Sequence, residues 1–214
     1  MKEVIIIGAG GNAIEVNEYI AFNNRDKETI KIIGIIDDNN EIYKKYKFTA
    51  PYLGDVNSHI VNKNIYYVIA IANPLYKRPI VERFLNEGAK FINIIHQTAY
   101  ISPSAKIGQG VIIAPFSNLG ANTVIGDYTL INSRASVGHD TILGNFNFIA
   151  PNVSFSGNTS IGDDNVFGVN SATIPGIQVG NRNKIAAGMI LDKNIKDNGT
   201  VFHKFKEKII TISI

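Results

Sequence analysis

The hydrophobic positions between residues 101 and 196 recur every six residues. Steps of six from the first of them give an apolar column with one polar exception, Thr173: Ile101, Ile107, Ile113, Leu119, Ile125, Ile131, Val137, Leu143, Ile149, Phe155, Ile161, Phe167, Thr173, Val179, Ile185 and Leu191. A helix repeats its apolar residues at three and four, so a period of six excludes it. Each hexad is therefore interpreted as one short strand with an inward anchor, and three hexads as one triangular coil of eighteen residues.

The residue after each anchor is nearly always small, as at Gly108, Ala114, Gly120, Gly126, Gly138, Gly144, Ala150, Gly162, Gly168, Gly180 and Ala186. This pattern resembles the left-handed β-helix of hexapeptide-repeat acyltransferases, and a right-handed β-helix is the alternative. We expect just over five coils, stacked at the usual strand separation of about 4.8 Å.

The first hundred residues have a different pattern. Short apolar runs alternate with helical patterns and predict four strands, at 4–7, 32–36, 66–72 and 90–95. Alternating strands and helices indicate an α/β, Rossmann-like module with a parallel sheet, whose ligands bind at the carboxyl ends of the strands. We therefore predict domains at residues 1–98 and 99–199, and a tail strand at 200–214.

Glycines follow the first predicted strand at Gly8, Gly10 and Gly11, and two acids, Asp37 and Asp38, follow the second. Free N–H groups at a helix start suit a phosphate, and the acids stand where a Rossmann domain binds ribose. A plain tight turn and a solvated strand end are the alternatives. Four strands are half of a dinucleotide fold, which fits a mononucleotide better than a nicotinamide cofactor.

Composition narrows the function. The formal charge of +3, from 21 basic and 18 acidic residues, argues against a nucleic-acid partner. The 214 residues include no cysteine, which excludes a thiolate metal site and a cysteine nucleophile, and we predict no metal site. No apolar run is long enough to cross a membrane, so we expect no membrane insertion and a cytoplasmic protein.

One histidine, His139, lies inside the repeat, in the third place of its hexad. Adding one coil of eighteen residues leads to Gly157, so the two are expected to stack about 5 Å apart. An imidazole near its unperturbed pKa of about 6.5 suits a general base, and a glycine amide suits an oxyanion. Asp140 follows and could orient the ring. A plain surface histidine is the alternative.

Almost the whole chain resembles the bacterial sugar O- and N-acyltransferases, which include UDP-4-amino-sugar N-acetyltransferases of the bacillosamine pathway and sialic acid O-acetyltransferase relatives. The family motif of an asparagine seven residues before a histidine and acid stands here as Asn132, His139 and Asp140. The resemblance implies an acetyl-CoA-dependent sugar acetyltransferase of surface-glycan synthesis, with His139 as base and Asp140 as its partner. It also implies a homotrimer that binds the acyl donor between adjacent β-helices.

The resemblance implies two groups of binding residues. Gly157, Gly176 and Ala187 are expected at the coenzyme A site. The nucleotide-sugar or sugar is expected at Gly8, Gly10, Gly11, Asp37, Asp38, Asn73 and Phe148.

The chain departs from the family at several positions. Asn12 and Phe148 stand where histidines are usual, and Lys77 where an arginine is. The tail carries Lys204, Lys206 and Lys208 in place of the family's closing segment, and residues 209–214 alternate like a strand that a neighbouring subunit covers. Two alternatives therefore stay open: transfer of a different acyl group, and a catalytically silent sugar-nucleotide-binding protein.

Overall fold

The computed structural model describes residues 1–203. Its N-terminal region contains β1 (Lys2–Ile7), α1 (Gly11–Asn23), β2 (Ile30–Ile36), α2 (Asn40–Lys45), β3 (Tyr66–Ile69), α3 (Pro74–Asn86) and β4 (Lys90–Phe91). The four strands are parallel and lie in the order β2-β1-β3-β4. The predicted α/β region is thus confirmed, and the carboxyl ends of its three longest strands share one edge.

The second region is a parallel β-helix solenoid of two-residue strands, as the hexads predicted. In chain order these are β5 (Ile94–Ile95), β6 (Tyr100–Ile101), β7 (Lys106–Ile107), β8 (Ile112–Ile113), β9 (Asn118–Leu119), β10 (Val124–Ile125), β11 (Leu130–Ile131), β12 (Ser136–Val137), β13 (Ile142–Leu143), β14 (Phe148–Ile149), β15 (Ser154–Phe155), β16 (Ser160–Ile161), β17 (Val166–Phe167), β18 (Ala172–Thr173), β19 (Gln178–Val179), β20 (Lys184–Ile185), β21 (Ile190–Leu191) and β22 (Thr200–Val201).

These strands form the three faces of a prism. The docked face is β5, β8, β11, β14, β17, β20 and β22; the second face is β6, β9, β12, β15, β18 and β21; the third face is β7, β10, β13, β16 and β19. Strands stack on partners eighteen residues away, as with Ser136 on Ser154. At the corners one residue per hexad adopts a left-handed backbone, including Asn122 and Asp140 with φ of 58° and 55°.

The apolar column fills the prism, and the polar exception Thr173 is buried with it. Three fully buried asparagines, Asn147, Asn165 and Asn183, stack inside as well. The side-chain oxygen of each accepts the backbone N–H of the next residue in the series or, for Asn183, of Gly199, at 2.6–2.9 Å. Each buried side-chain oxygen thus satisfies a backbone N–H of the next coil inside the prism.

The N-terminal region packs on the docked face. Ile112, Leu130 and Phe148 join its sheet and α1 in one apolar cluster. Helix α3 adds polar contacts: Arg78 donates from Nη2 and Nε to Asp164 at 2.6 and 3.1 Å, and Lys77 Nζ donates to the Tyr128 carbonyl at 3.1 Å. None of the helices within residues 1–203 is long and apolar enough to span a bilayer.

Lys77 predicts a pH-dependent stability. Complete burial lowers the pKa of its amine from 10.5 to about 7, against the opposing field of Asp164. Between these two pH values the unfolded chain holds a proton that the folded chain has released, so the free energy of unfolding rises with pH in that window. We expect Lys77→Met to remove this rise. The urea midpoint of the wild type should therefore increase relative to that of Lys77→Met between pH 7 and pH 9.5. The exposed Lys106→Met is the control, and parallel midpoints for wild type and Lys77→Met would contradict the effect.

Two sequence predictions need correction. The fourth strand expected at 90–95 divides, because Phe91 pairs with β3 whereas Ile94 pairs with β8 of the solenoid. Asn93 makes the change of direction by donating to the Gly108 carbonyl and accepting from the Val111 N–H. Solenoid pairing therefore begins before the boundary predicted at residue 98.

The six-residue period also ends earlier than predicted. After Leu191 the coil is two residues shorter, so Val179 bridges to Ile195 and Lys184 pairs with Thr200, each sixteen residues away. The repeat is therefore not unbroken to residue 196. Of the predicted tail strand, Thr200–Val201 is present as β22, whereas Lys204, Lys206, Lys208 and residues 209–214 lie outside the described residues.

Candidate functional site

His139 and Asp140 form a pair at the corner between the second and third faces. Nδ1 of His139 lies 2.7 Å from Oδ2 of Asp140. An ionised carboxylate only accepts hydrogen bonds, so Nδ1 carries the proton and Nε2 keeps a free lone pair. Hydrogen bonds from His139 first, and from Asn122 second, hold the pKa of Asp140 below its usual value. The ring is 63% exposed and so open to a reactant.

Gly157 lies next to the imidazole on the coil above, as the eighteen-residue spacing predicted. A Cβ built on Gly157 would stand 2.6 Å from Nε2 and 2.7 Å from Cε1 of His139. Among residues 1–203 no acceptor takes the Gly157 N–H. The corner therefore combines a free imidazole nitrogen with a free backbone donor.

Hydrogen bonds with Ser156 explain why the apolar column has a polar residue at Thr173. Elsewhere the residue after each anchor donates its N–H to a backbone carbonyl, as Gly138 does to Phe155. Here the Ser156 N–H donates to Thr173 Oγ1 at 3.1 Å, and the Ser156 hydroxyl donates to the Thr173 carbonyl at 2.7 Å. The ladder is thus rebuilt through side chains at the residue immediately before Gly157.

The residues expected at coenzyme A divide between two corners. Gly176 lies above Gly157, donates its N–H to the Gly157 carbonyl at 3.1 Å, and would leave open space around an added Cβ. Ala187 is exposed at the corner between the docked and second faces. A ligand that touches both Gly176 and Ala187 must therefore pass between two prisms or around one.

The expected nucleotide residues do meet at the carboxyl edge of the sheet. Gly8, with φ of 104°, ends β1, and Gly10 begins α1 without any side-chain cap. The Ala9 N–H, however, donates to Oδ2 of Asp37 at 2.8 Å. Asp37 therefore already engages the turn, and the N–H groups of Gly10, Gly11 and Asn12 have no acceptor among residues 1–203.

Asp38 and Asn73 complete this edge with local contacts. The carboxylate of Asp38 accepts the backbone and side-chain N–H groups of Asn57 at 3.2 and 3.1 Å. Asn73 caps α3 by accepting the Leu75 N–H at 3.0 Å. Both side chains are therefore engaged in the loops of this edge.

Two other expected site residues lie away from His139 within this chain. Asn132 begins the corner between the docked and second faces and lines a small cleft with Asn12, Glu15 and Tyr19 of α1. Burial and the neighbouring Glu15 carboxylate raise the pKa of Tyr19 to about 12. Phe148 is part of the docked face and packs against the N-terminal cluster.

The prism separates the His139 corner from the expected substrate-binding residues, which include the glycine turn and Phe148. The N-terminal region covers the docked face, and the His139 corner is the one corner that this face does not share. A cavity of about 830 Å³ at the amino edge of the sheet, between Lys2, Tyr66 and Gln109, is also remote from His139. One chain therefore presents the base on one side and the glycine turn on the other.

Sequence reasoning missed Asn122. Its Nδ2 donates to Oδ1 of Asp140 at 3.0 Å from one coil below. The eighteen-residue spacing that linked His139 to Gly157 also links Asn122 to Asp140, so the signal was present in the sequence.

Comparison with family models and curated proteins gives matches in both regions. Residues 3–84 match the PglD N-terminal domain, and residues 158–193 match the hexapeptide repeat of succinyl-transferase. UDP-N-acetylbacillosamine N-acetyltransferase of Bacillus subtilis (strain 168) is 29% identical over 115 residues, which are 53% of this chain and 51% of that protein. The matched region thus spans about half the length of this curated relative.

Solved structures match over nearly the whole chain. The acetyltransferase domain of PglB from Neisseria gonorrhoeae FA1090, in complex with acetyl coenzyme A, gives a TM-score of 0.81 at 29% identity, covering 93% of this chain and 95% of that one. A histidine-to-asparagine mutant of perosamine N-acetyltransferase from Caulobacter crescentus, with CoA and GDP-perosamine, gives 0.80 at 25% identity, covering 94% and 93%. Together with the α/β region and the parallel solenoid, these matches support a bacterial sugar acyltransferase of the left-handed β-helix type.

Proposed function

We propose that this protein transfers the acetyl group of acetyl-CoA to an amino group of a nucleotide-linked sugar, with His139 as general base. The observation that carries the proposal is the pairing of His139 with Asp140 next to Gly157, whose N–H has no acceptor among residues 1–203. The relatives named above act on amino sugars, which favours nitrogen over oxygen as the acceptor.

In this mechanism Nε2 of His139 removes a proton from the sugar amine as its nitrogen attacks the thioester carbonyl carbon. The Gly157 N–H stabilises the oxyanion that forms on the carbonyl oxygen. When the carbon–sulfur bond breaks, Nε2 returns the proton to the leaving thiolate. Asp140 holds the proton of Nδ1 throughout and stabilises the transient imidazolium.

The N-terminal region is proposed to be a Rossmann-like module that holds the nucleotide. Supporting observations are the start of α1 without a side-chain cap and the N–H groups of Gly10, Gly11 and Asn12 without an acceptor among residues 1–203, which suit a phosphate. The carboxylate of Asp37 accepts a hydrogen bond from the Ala9 N–H and so orders the glycine turn. A ribose hydroxyl would bind the same carboxylate together with this N–H.

The complete site is proposed to lie between two copies of the chain in a homotrimer. The support is geometric, because the glycine turn, the Asn132 cleft and Phe148 all lie on the side of the prism away from His139. A second copy can bring its Asn132 cleft to the exposed imidazole and enclose the reacting groups. Coenzyme A would then lie between Gly157 and Gly176 of one prism and Ala187 of the next.

The test is an assay of the full chain with acetyl-CoA and amino sugars linked to UDP, dTDP, GDP or CMP. We expect thiol release with one of these nucleotides, and a product heavier by one acetyl group that survives mild alkali, as an amide does and an ester does not. Thiol release with alkali-labile product would move the acceptor to a hydroxyl. Absence of turnover with all four nucleotides would contradict the proposal.

The shared site predicts complementation between inactive variants. We expect His139→Ala and Asn132→Ala chains, each inactive alone, to regain about a quarter of wild-type activity when co-expressed in equal amounts, because that fraction of interfaces in random trimers joins an intact His139 to an intact Asn132. Differently tagged chains allow isolation of mixed trimers, in which one interface of the three is intact and about a third of wild-type activity is expected. Mixed trimers without recovered activity would mean that each site is built from one chain.

Two other functions remain as alternatives with a specific basis. Phe148, where the family has a histidine, changes a wall of the proposed acceptor pocket, so a different acyl group is the first alternative. A silent sugar-nucleotide-binding protein is the second. Mass spectrometry of the product separates the first from acetylation, and calorimetry that detects nucleotide-sugar binding without acyl-CoA binding identifies the second.

A further inference from the structure

We propose that Asn122 is a positioning residue for the reaction, which fixes the Asp140 carboxylate from the coil below so that His139 is held next to Gly157. This inference rests on the proposed function. It assigns to Asn122 no contact with the substrates and an effect that passes entirely through Asp140.

The geometry uses both oxygens of the carboxylate. Asn122 Nδ2 donates to Oδ1 of Asp140 at 3.0 Å, while Oδ2 lies 2.7 Å from Nδ1 of His139. Each oxygen therefore has a separate donor. A carboxylate held at two points cannot rotate about its terminal bond without losing one of them, so the imidazole keeps its orientation.

Asn122 is itself anchored from below. Its backbone N–H donates to Ser104 Oγ at 2.9 Å, and Ser104 Oγ lies 3.1 Å from Ser102 Oγ. The left-handed backbone at Asn122 and Asp140, with φ of 58° and 55°, directs both side chains along the same corner. A polar column thus runs up the corner from Ser102 to His139.

The solvent exposure of the pair makes such an anchor necessary. The side chains of His139 and Asp140 are 63% and 46% exposed, so packing alone does not lock their rotamers. Asn122 is also the second of the causes that keep the pKa of Asp140 below its usual value, after His139 itself. An ionised, immobile carboxylate is what a general base requires behind its ring.

Corner asparagines also have a purely structural use, and Asn198 shows it. Asn198 is exposed, has φ of 61°, and accepts a hydrogen bond from Arg182 Nε at 2.7 Å across the coils. It matches Asn122 in residue type, backbone and exposure but lies at another corner. The pair therefore offers a matched control.

The experiment compares Asn122→Gly, Asn122→Asp and Asn198→Gly in the full chain. Glycine keeps the left-handed backbone and removes the amide, whereas aspartate keeps the shape and replaces the donor by a like charge. The first readout is the 15N spectrum of the His139 imidazole as a function of pH, without any substrate. The second is the dependence of kcat on pH in the acetyl-transfer assay.

We expect Asn122→Asp to move the acidic limb of the kcat profile, and the imidazole signals that follow it, to higher pH, because a second anion joins Asp140. Asn122→Gly should weaken the Nδ1–H signature of His139 and lower kcat about 3- to 10-fold at constant KM, as expected when one neutral-to-charged hydrogen bond is lost. Asn198→Gly should change neither readout.

Imidazole titrations and kcat values of both Asn122 variants that coincide with those of Asn198→Gly would overturn the inference. The spectra need neither acetyl-CoA nor a sugar, so they test the contact even if the acetyl-transfer assay of the wild type fails. A normal wild-type assay with unchanged Asn122 variants would reject the positioning role alone.

Discussion

His139→Ala is expected to lower kcat about 10²- to 10⁴-fold, the range that a positioned general base contributes. The substitution should leave the fold intact, because the side chain is 63% exposed at a corner and belongs to none of the apolar clusters. KM for acetyl-CoA should change little, since binding of the donor does not need the lone pair on Nε2. The measurement is thiol release under saturating acetyl-CoA, with thermal unfolding as the check on stability.

Added imidazole is the control for His139→Ala. If the lost function is proton removal, free imidazole should restore part of kcat in this variant and have no effect on the wild type. A kcat of His139→Ala within a few-fold of the wild-type value would contradict the assignment of His139 as base. A variant that is inactive and also unfolds early would instead indicate a structural role.

Gly157→Ala is expected to lower kcat about 10²-fold, the effect of displacing a catalytic group by about 1 Å. The new methyl group would stand 2.6 Å from Nε2 of His139, closer than two such atoms can approach. The backbone of Gly157 has no positive φ, so alanine costs little there, and the exposed ring is the part that must move. Thermal unfolding should therefore stay close to that of the wild type while turnover falls.

The double variant His139→Ala/Gly157→Ala isolates the cause. If alanine at 157 acts through the imidazole, it should have little further effect once the imidazole is gone, so the two changes should be far from additive. Full additivity would show that Gly157 acts independently of the ring, for example through its N–H alone.

The solenoid was predictable because its signal is periodic and each repeat obeys the same packing rule. Inward anchors must be apolar, and corners must turn within four residues, so sixteen hexads report one geometry. The predictions from the repeat are wrong at two places, where local hydrogen bonding or a shorter coil departs from the six-residue period. At Asn93 a side chain completes the ladder between two sheets, and after Leu191 the coil loses two residues without an apolar signal to reveal it.

The candidate site was predictable along the prism axis but not across it. The spacing of eighteen residues predicted that Gly157 lies next to His139, as the structure has it. Asn132 lies seven residues before His139 in the sequence, yet one corner away in space, because six residues already cross a full face. Nor could the sequence show that Asp37 turns its carboxylate onto the Ala9 N–H, since that choice of rotamer depends on the folded turn.

The stacking of Gly176 on Gly157 on His139 has a consequence for evolution. A solenoid of similar coils can gain or lose whole coils above Gly157 without disturbing the coils below. The length of the prism beyond the His139 corner then changes in steps of about 4.8 Å. The length of solenoid surface along which a long cosubstrate can bind therefore changes by whole coils, whereas the reacting residues on the His139 and Gly157 coils stay unchanged. An insertion of any length between His139 and Gly157, a whole coil included, would separate the base from its donor.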